Sequence, residues 1–192
     1  MLLALDLGVH IVDHGDGFDE ACLERILERG AYLAPSLFFP KQMMAAMPGI
    51  PYTDMMVPEY KAMAAILPRA NAAGVKLLIG DDYGASGCAH GRYAEELALY
   101  VDEIGIPAID VIRWATKNGA EAMGLGEETG TLAPGKLADL LVVDGDPLSD
   151  IKILQDRTRL LAILKCGKAV KDELHGLERE NDPRPSAHHE IA

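Results

Sequence analysis

Short apolar runs alternate along the chain with segments whose apolar residues recur every three or four positions. Val9-His10-Ile11-Val12 is a β-branched run that stops at the polar, glycine-rich Asp13–Gly17. Asp19 then stands where a helix N-cap belongs, because Cys22, Leu23, Ile26 and Leu27 share one face of a 3.6-residue repeat. Gly30 closes that helix, and Ala31–Ala34 reads as a second strand ended by Pro35. Residues 38–58 hold four prolines and five methionines, which predicts a long irregular apolar excursion. Such a segment is either a core-covering loop or a substrate-facing wall, and packing is the commoner use of methionine. A helix is predicted over 59–73, with Gly74 as its stop, and Val75–Ile79 is a third strand running into Gly80-Asp81-Asp82-Tyr83-Gly84. Past a glycine-rich loop, residues 92–103 put Tyr93, Leu97, Tyr100 and Val101 on one helical stripe. Pro107 suits the first turn of a further helix that runs through Trp114 towards Met123 and stops at Gly124. Strand–helix alternation of this kind means βα units and a parallel sheet.

From Thr129 the grammar changes. Gly130-Thr131-Leu132, the turn Pro134-Gly135-Lys136 and the run Ala138–Val143 read as short antiparallel strands, and Leu160–Lys165 with Lys168–Val170 as a hairpin around Gly167. The pattern divides the chain into a βα part over 1–128, a small β layer over 129–172 and a polar tail over 173–192. The tail carries Pro183, Pro185, His175 and the pair His188-His189, which suits adventitious metal at most.

A length of 192 residues and 49% hydrophobic composition are enough to bury a core. Charge narrows the function. With 18 basic against 30 acidic residues the net charge is −12, which argues against nucleic acid and anionic membranes as partners and leaves many oxygen ligands available for metal, although most Asp and Glu residues simply solvate a surface. No stretch is apolar enough for a transmembrane helix, and the N-terminal MLLALDLG lacks a basic signal-peptide region. Cys22, Cys88 and Cys166 are odd in number and far apart, so a reducing, cytoplasmic setting is expected.

Two strand ends are chemically loaded, Asp13-His14-Gly15-Asp16 and Gly80-Asp81-Asp82-Tyr83-Gly84. In a parallel α/β layout both fall where strands hand over to loops, on the functional rim. Histidine offers a neutral nitrogen ligand, and aspartate an oxygen ligand or a general base. Taken singly such a cluster is more often a capped turn than a site; two on one rim shift the balance. His90 sits in the loop above the same rim, facing substrate or solvent. Cys88 is its neighbour, but no third group orients a Cys/His nucleophile. No Walker loop, GxSxG, HExxH or GxGxxG motif occurs.

These residues carry a resemblance. Gly74–Gly84, GVKLLIGDDYG, resembles the eighth barrel strand of the amidohydrolase superfamily, with Asp82 as the motif aspartate and Asp81 where the family usually has Thr or Ser. Val9–Gly15, VHIVDHG, resembles the sixth strand, with His14 as the metal-ligand histidine. Gly130–Ile151, GTLAPGKLADLLVVDGDPLSDI, resembles the C-terminal signature GxLxxGKxADLVVxDxxP, especially in the imidazolonepropionase-related and Xaa-Pro dipeptidase-like branches. The likeness covers residues 1 to 172 or so.

The resemblance implies the C-terminal portion of a (β/α)8 TIM barrel, strands 6 to 8, with a small β-sandwich. It also implies one or two divalent metals, usually zinc, activating a water that attacks a C–N bond in an amide, peptide or cyclic amide. Asp82 would be metal ligand and proton carrier, His14 a ligand of the more exposed metal, and Tyr83, Asp81 and His90 the substrate end. The strand 1 HxH pair and strand 4 lysine of binuclear members have no counterpart here, so a truncated chain is expected, either self-associating or pairing with an N-terminal half. The alternatives are a non-catalytic half-barrel and a small α/β domain binding metal or phosphate through its Asp-rich loops.

Overall fold

The computed structural model describes residues 1–85 and 87–174. Helix α1 (Leu2–Asp6) leads into strand β1 (Ile11–Asp13), helix α2 (Glu20–Arg29), strand β2 (Tyr32–Ala34), helices α3 (Phe38–Ala46) and α4 (Pro51–Ala72), and strand β3 (Lys76–Leu77). The three strands form one parallel sheet in the order β1-β2-β3, with Ile11 opposite Tyr32 and Leu33 opposite Leu77. Parallel pairing is possible because a helical connection carries the chain back to the same end of the sheet before each next strand. Beyond β3 lie α5 (Tyr93–Ala98), prolonged by a π turn over Leu99–Glu103, and α6 (Ala108–Arg113), prolonged by a π turn over Trp114–Asn118 into α7 (Gly119–Ala122).

Helix α2 forms as its sequence directs. Asp19 Oδ1 accepts the Cys22 amide at 2.9 Å, and Gly30 adopts the left-handed C-cap conformation that spares a Cβ clash. Cys22, Leu23 and Ile26 are buried against the sheet, whereas Leu27, expected on the same face, is exposed. Leu33 and Leu77, fully buried, form the floor on which Leu67 of α4 and Tyr100 and Trp114 of the later helices pack.

Residues 38–58 are not the irregular excursion expected from their prolines. Pro40 falls in the first turn of α3 and Pro51 at the start of α4, where a missing N–H costs nothing because those donors have no intrahelical partner. The methionines and alanines between are good helix formers. Only Pro58 and Pro68 stand inside α4, and its 22 residues run through both.

Strands β4 (Leu140–Val143), β5 (Leu160–Lys165) and β6 (Lys168–Asp172) make a separate antiparallel sheet, and two 3-10 turns over Ile151–Arg159 bridge β4 to β5. The β5–β6 turn has Cys166 and Gly167 both at positive φ, 50° and 78°, the geometry that matches strand twist in a two-residue hairpin. Gly130–Leu132, expected as a strand, is a loop. Lys136 Nζ donates to the Gly126 and Thr129 carbonyls, and Gly130 passes so close to α7 that a Cβ there would meet Ala120. The expected tail lies, from residue 175 onward, outside the described residues. Among the described residues no helix is long and apolar enough to cross a membrane.

Candidate functional site

The ends of β1 and β3 open onto one cleft of about 520 Å³, lined by His14, Asp16, Ser36 and Asp82 on the strand side and by Tyr52, Met55, Met56, Glu59 and Tyr60 of α4 opposite. The methionine-rich segment is thus both helix and cleft wall.

At the β1 end the backbone turns through two successive left-handed residues, His14 at φ 67° and Gly15 at φ 68°. Gly15 is required there twice over: besides its φ, a Cβ would lie 2.8 Å from Leu33 Cδ1 and 3.0 Å from Met63 Cε. That turn presses the chain onto the core and lifts the His14 ring outward. The left-handed conformation is unfavourable for histidine by ~1 kcal/mol, a strain of the kind that accumulates at functional positions. Glu59 Oε2 of α4 accepts the Gly17 amide at 3.0 Å and ties the turn to the opposite wall.

At the β3 end His14 Nε2 lies 3.7 Å from Asp82 Oδ1, with both side chains about half exposed in the cleft. The structure therefore brings these two together. Their neighbours are placed otherwise. Asp81 points its carboxylate at the N-terminus of α3, where Oδ2 accepts the Phe38 and Phe39 amides at 2.7 and 2.9 Å while Oδ1 accepts the Asp82 amide at 2.9 Å. Burial raises its pKa against the pull of those three donors. Asp81 thus acts as a helix cap supplied from another strand, not as a wall of the His14–Asp82 cleft.

Tyr83 and His90 fall in a second group. The Tyr83 hydroxyl donates to Glu96 Oε2 at 2.9 Å, and its ring packs edge-on against Tyr93 and stacks on Phe38. Burial and the Glu96 carboxylate push its pKa up, so it stays a neutral donor. His90 Nδ1 lies 3.2 Å from the Tyr93 hydroxyl on an exposed loop, its Nε2 directly over Gly84. Cys88 is fully buried, and burial raises its thiol to about 11, the wrong direction for a nucleophile.

Glu96 was missed from the sequence. It lies at 0% exposure inside α5, and burial raises its carboxyl to about 7. The signal was there: Glu96 stands on the same stripe as Tyr93 and Tyr100, a charged residue on the face that otherwise packs inward.

The Amidohydrolase family profile matches residues 3–170, nearly all that is described. The chain belongs to the amidohydrolase family. A 5-methylthioadenosine/S-adenosylhomocysteine deaminase of Syntrophobacter fumaroxidans is 34% identical over 146 residues, 72% of this chain and 30% of its own length. Among solved structures, ochratoxinase of A. niger superposes with TM-score 0.81 at 25% identity over 96% of this chain and 42% of its own. A Xaa-Pro dipeptidase with bound methionine in the active site superposes with TM-score 0.74 at 26% identity over 88% and 41%. The chain spans less than half the length of these amidohydrolase relatives, which are TIM-barrel proteins.

The donor set can be tested against the divalent metal the family typically uses. An imidazole nitrogen and a carboxyl oxygen at 3.7 Å are donor types that suit zinc. They are two donors, and among the described residues no group of three His, Cys, Asp or Glu converges.

Proposed function

We propose that this chain carries one wall of a metal-dependent site that hydrolyses a C–N bond, with His14 and Asp82 as its metal-facing pair. The observation that carries the reading is the 3.7 Å approach of these two side chains from separate strand ends in a member of the amidohydrolase family. Catalytic zinc generally keeps three protein ligands and one open position, so the reading needs a further donor from outside the described residues. The finer architecture belongs to the same proposal. Strands β1, β2 and β3 are read as barrel strands 6, 7 and 8 and the β4–β6 sheet as part of the sandwich. Strand β1, with Val9 and Ile11 exposed beside it, is then the edge where an N-terminal half or a second copy adds.

The metal, when bound, supplies a water activated near neutral pH. His14 would hold the metal through Nε2, and the turn at Gly15 fixes the backbone that carries its ring. Asp82 takes up a proton at its carboxylate and returns it to the leaving nitrogen, which must depart protonated. Phe39 of α3 and the methionines and tyrosines of α4 seat the apolar part of an amide- or dipeptide-like substrate and exclude water.

Assay of the 192-residue chain, alone and with a supplied N-terminal half from a relative, against dipeptides, N-acyl amino acids and aminopurine nucleosides tests this. Zinc-dependent turnover that H14A and D82N each abolish supports the reading. Turnover that survives both substitutions overturns it.

A further inference from the structure

Glu96 is the most buried ionisable carboxylate among the described residues, and the metal site makes no use of it. A carboxylate taken out of water is costly unless its oxygens are hydrogen-bonded, and a leucine or methionine would fill the same space without that cost. Its partners show what the cost is set against. Oε1 accepts the Gly80 amide at 3.1 Å, Oε2 accepts the Tyr83 hydroxyl at 2.9 Å, and the Tyr100 hydroxyl also reaches it. Gly80 and Tyr83 are the two ends of the turn that carries Asp82. One carboxylate therefore clasps that turn from both sides, while Asp81 holds its middle by accepting the Asp82 amide.

We propose that Glu96 is the positioning residue for Asp82, fixing the β3-end turn so that the Asp82 carboxylate stays opposite His14. The proposal rests on the reading of Asp82 as a metal-facing group. Glu96 touches neither substrate nor metal; it acts through the backbone at Gly80 and the side chain of Tyr83.

The test compares wild type, E96A, E96Q and Y83F as the full 192-residue chain, by residue-resolved amide hydrogen exchange and by zinc titration, with H14A setting the background of zinc bound elsewhere. In E96A, exchange at Gly80 and Asp82 is expected to quicken about tenfold while the Leu33 and Leu77 amides of the sheet hold within about threefold. Zinc affinity is expected to fall about tenfold, the usual scale for loss of a group that orients a ligand. E96Q keeps a carbonyl oxygen for the Gly80 amide and is expected to recover most of both; Y83F loosens Asp82 and leaves Gly80 protected. The proposal is overturned if E96A leaves Gly80 and Asp82 unchanged, or quickens the whole sheet alike with E96Q no better. Should E96A fail to fold, Y83F decides, and wild-type exchange at Asp82 in Y83F overturns the proposal. Zinc binding by wild type that does not depend on His14 would sink the metal reading, and the exchange pattern would still judge the clasp.

Discussion

Asp81 Oδ2 lies 2.7 Å from the backbone nitrogen of Phe38, so the β3-end turn is joined to the first turn of α3. Two adjacent aspartates thus do different work. Asp81 faces inward and satisfies helix donors that would otherwise be orphaned, which leaves Asp82 outward in the cleft beside His14. The division explains how two carboxylates can sit side by side while only Asp82 enters the cleft.

Replacing Asp81 by alanine removes a cap shared by two amides, and a loss of ~1–2 kcal/mol is expected on the scale of N-cap deletions. Denaturant unfolding measures it. A change below ~0.3 kcal/mol would mean that the α3 amides find water instead.

Gly15 has no room for a side chain in its present conformation. Alanine there meets a left-handed φ and a 2.8 Å approach to Leu33 Cδ1, so G15A is expected to destabilise the fold by ~2 kcal/mol or more. Gly17, at φ 70° with open space around it, meets only the backbone penalty, and G17A is expected to cost ~1 kcal/mol. Comparing the two melts isolates the packing part.

The parallel βα order and the β5–β6 hairpin were legible because strand periodicity, glycine stops and turn residues agree there. The meeting of His14 and Asp82 was legible because both follow apolar runs that end in polar glycine-rich turns. Residues 38–58 misled because a proline count says nothing of position; Pro40 and Pro51 fall in first turns, where proline is tolerated. Gly130–Leu132 misled because Lys136 gathers the preceding Gly126 and Thr129 carbonyls and Gly130 packs against α7, which holds the segment as a loop. The charge of Glu96 on an inward stripe marks it as unusual, but what it and Asp81 hold is not legible in the sequence, since each depends on backbone donors brought near only by tertiary packing.

Thiol reactivity follows burial. Cys166 is exposed in the β5–β6 turn, whereas Cys22 and Cys88 are buried. One thiol is expected to react promptly with Ellman's reagent in the native protein and all three after denaturation. Prompt reaction of Cys88 would show that the Gly84–Gly91 loop opens.

His14 and Asp82 are about half exposed, so removing either leaves the core intact. H14A and D82N are expected to shift stability by less than ~0.5 kcal/mol while abolishing the saturable zinc signal. Calorimetric titration with zinc, paired with thermal melts, separates the two effects. Zinc binding retained by both variants would place the metal elsewhere.

The pH dependence of stability should carry the mark of Glu96. Burial raises its folded pKa to about 7 from the ordinary 4.5, so the folded state holds its proton where the unfolded state has lost it. The resulting stabilisation is complete below pH 4.5 and is lost as pH rises through about 7. Over that window the loss amounts to as much as ~3 kcal/mol, because the gap between the unfolded and folded pKa values sets the free energy at ~1.4 kcal/mol per pH unit. E96Q cannot titrate, so its stability lacks this component; any hydrogen bond it loses adds only a constant offset. The stability of wild type relative to E96Q is therefore expected to fall between pH 4.5 and 7 and to be flat on either side, whatever the other carboxylates do in common. Urea unfolding of both proteins at intervals from about pH 4 to 8 measures that difference. A difference that stays level across the window would mean that Glu96 is ionised in the fold and held by Gly80, Tyr83 and Tyr100 more firmly than burial opposes.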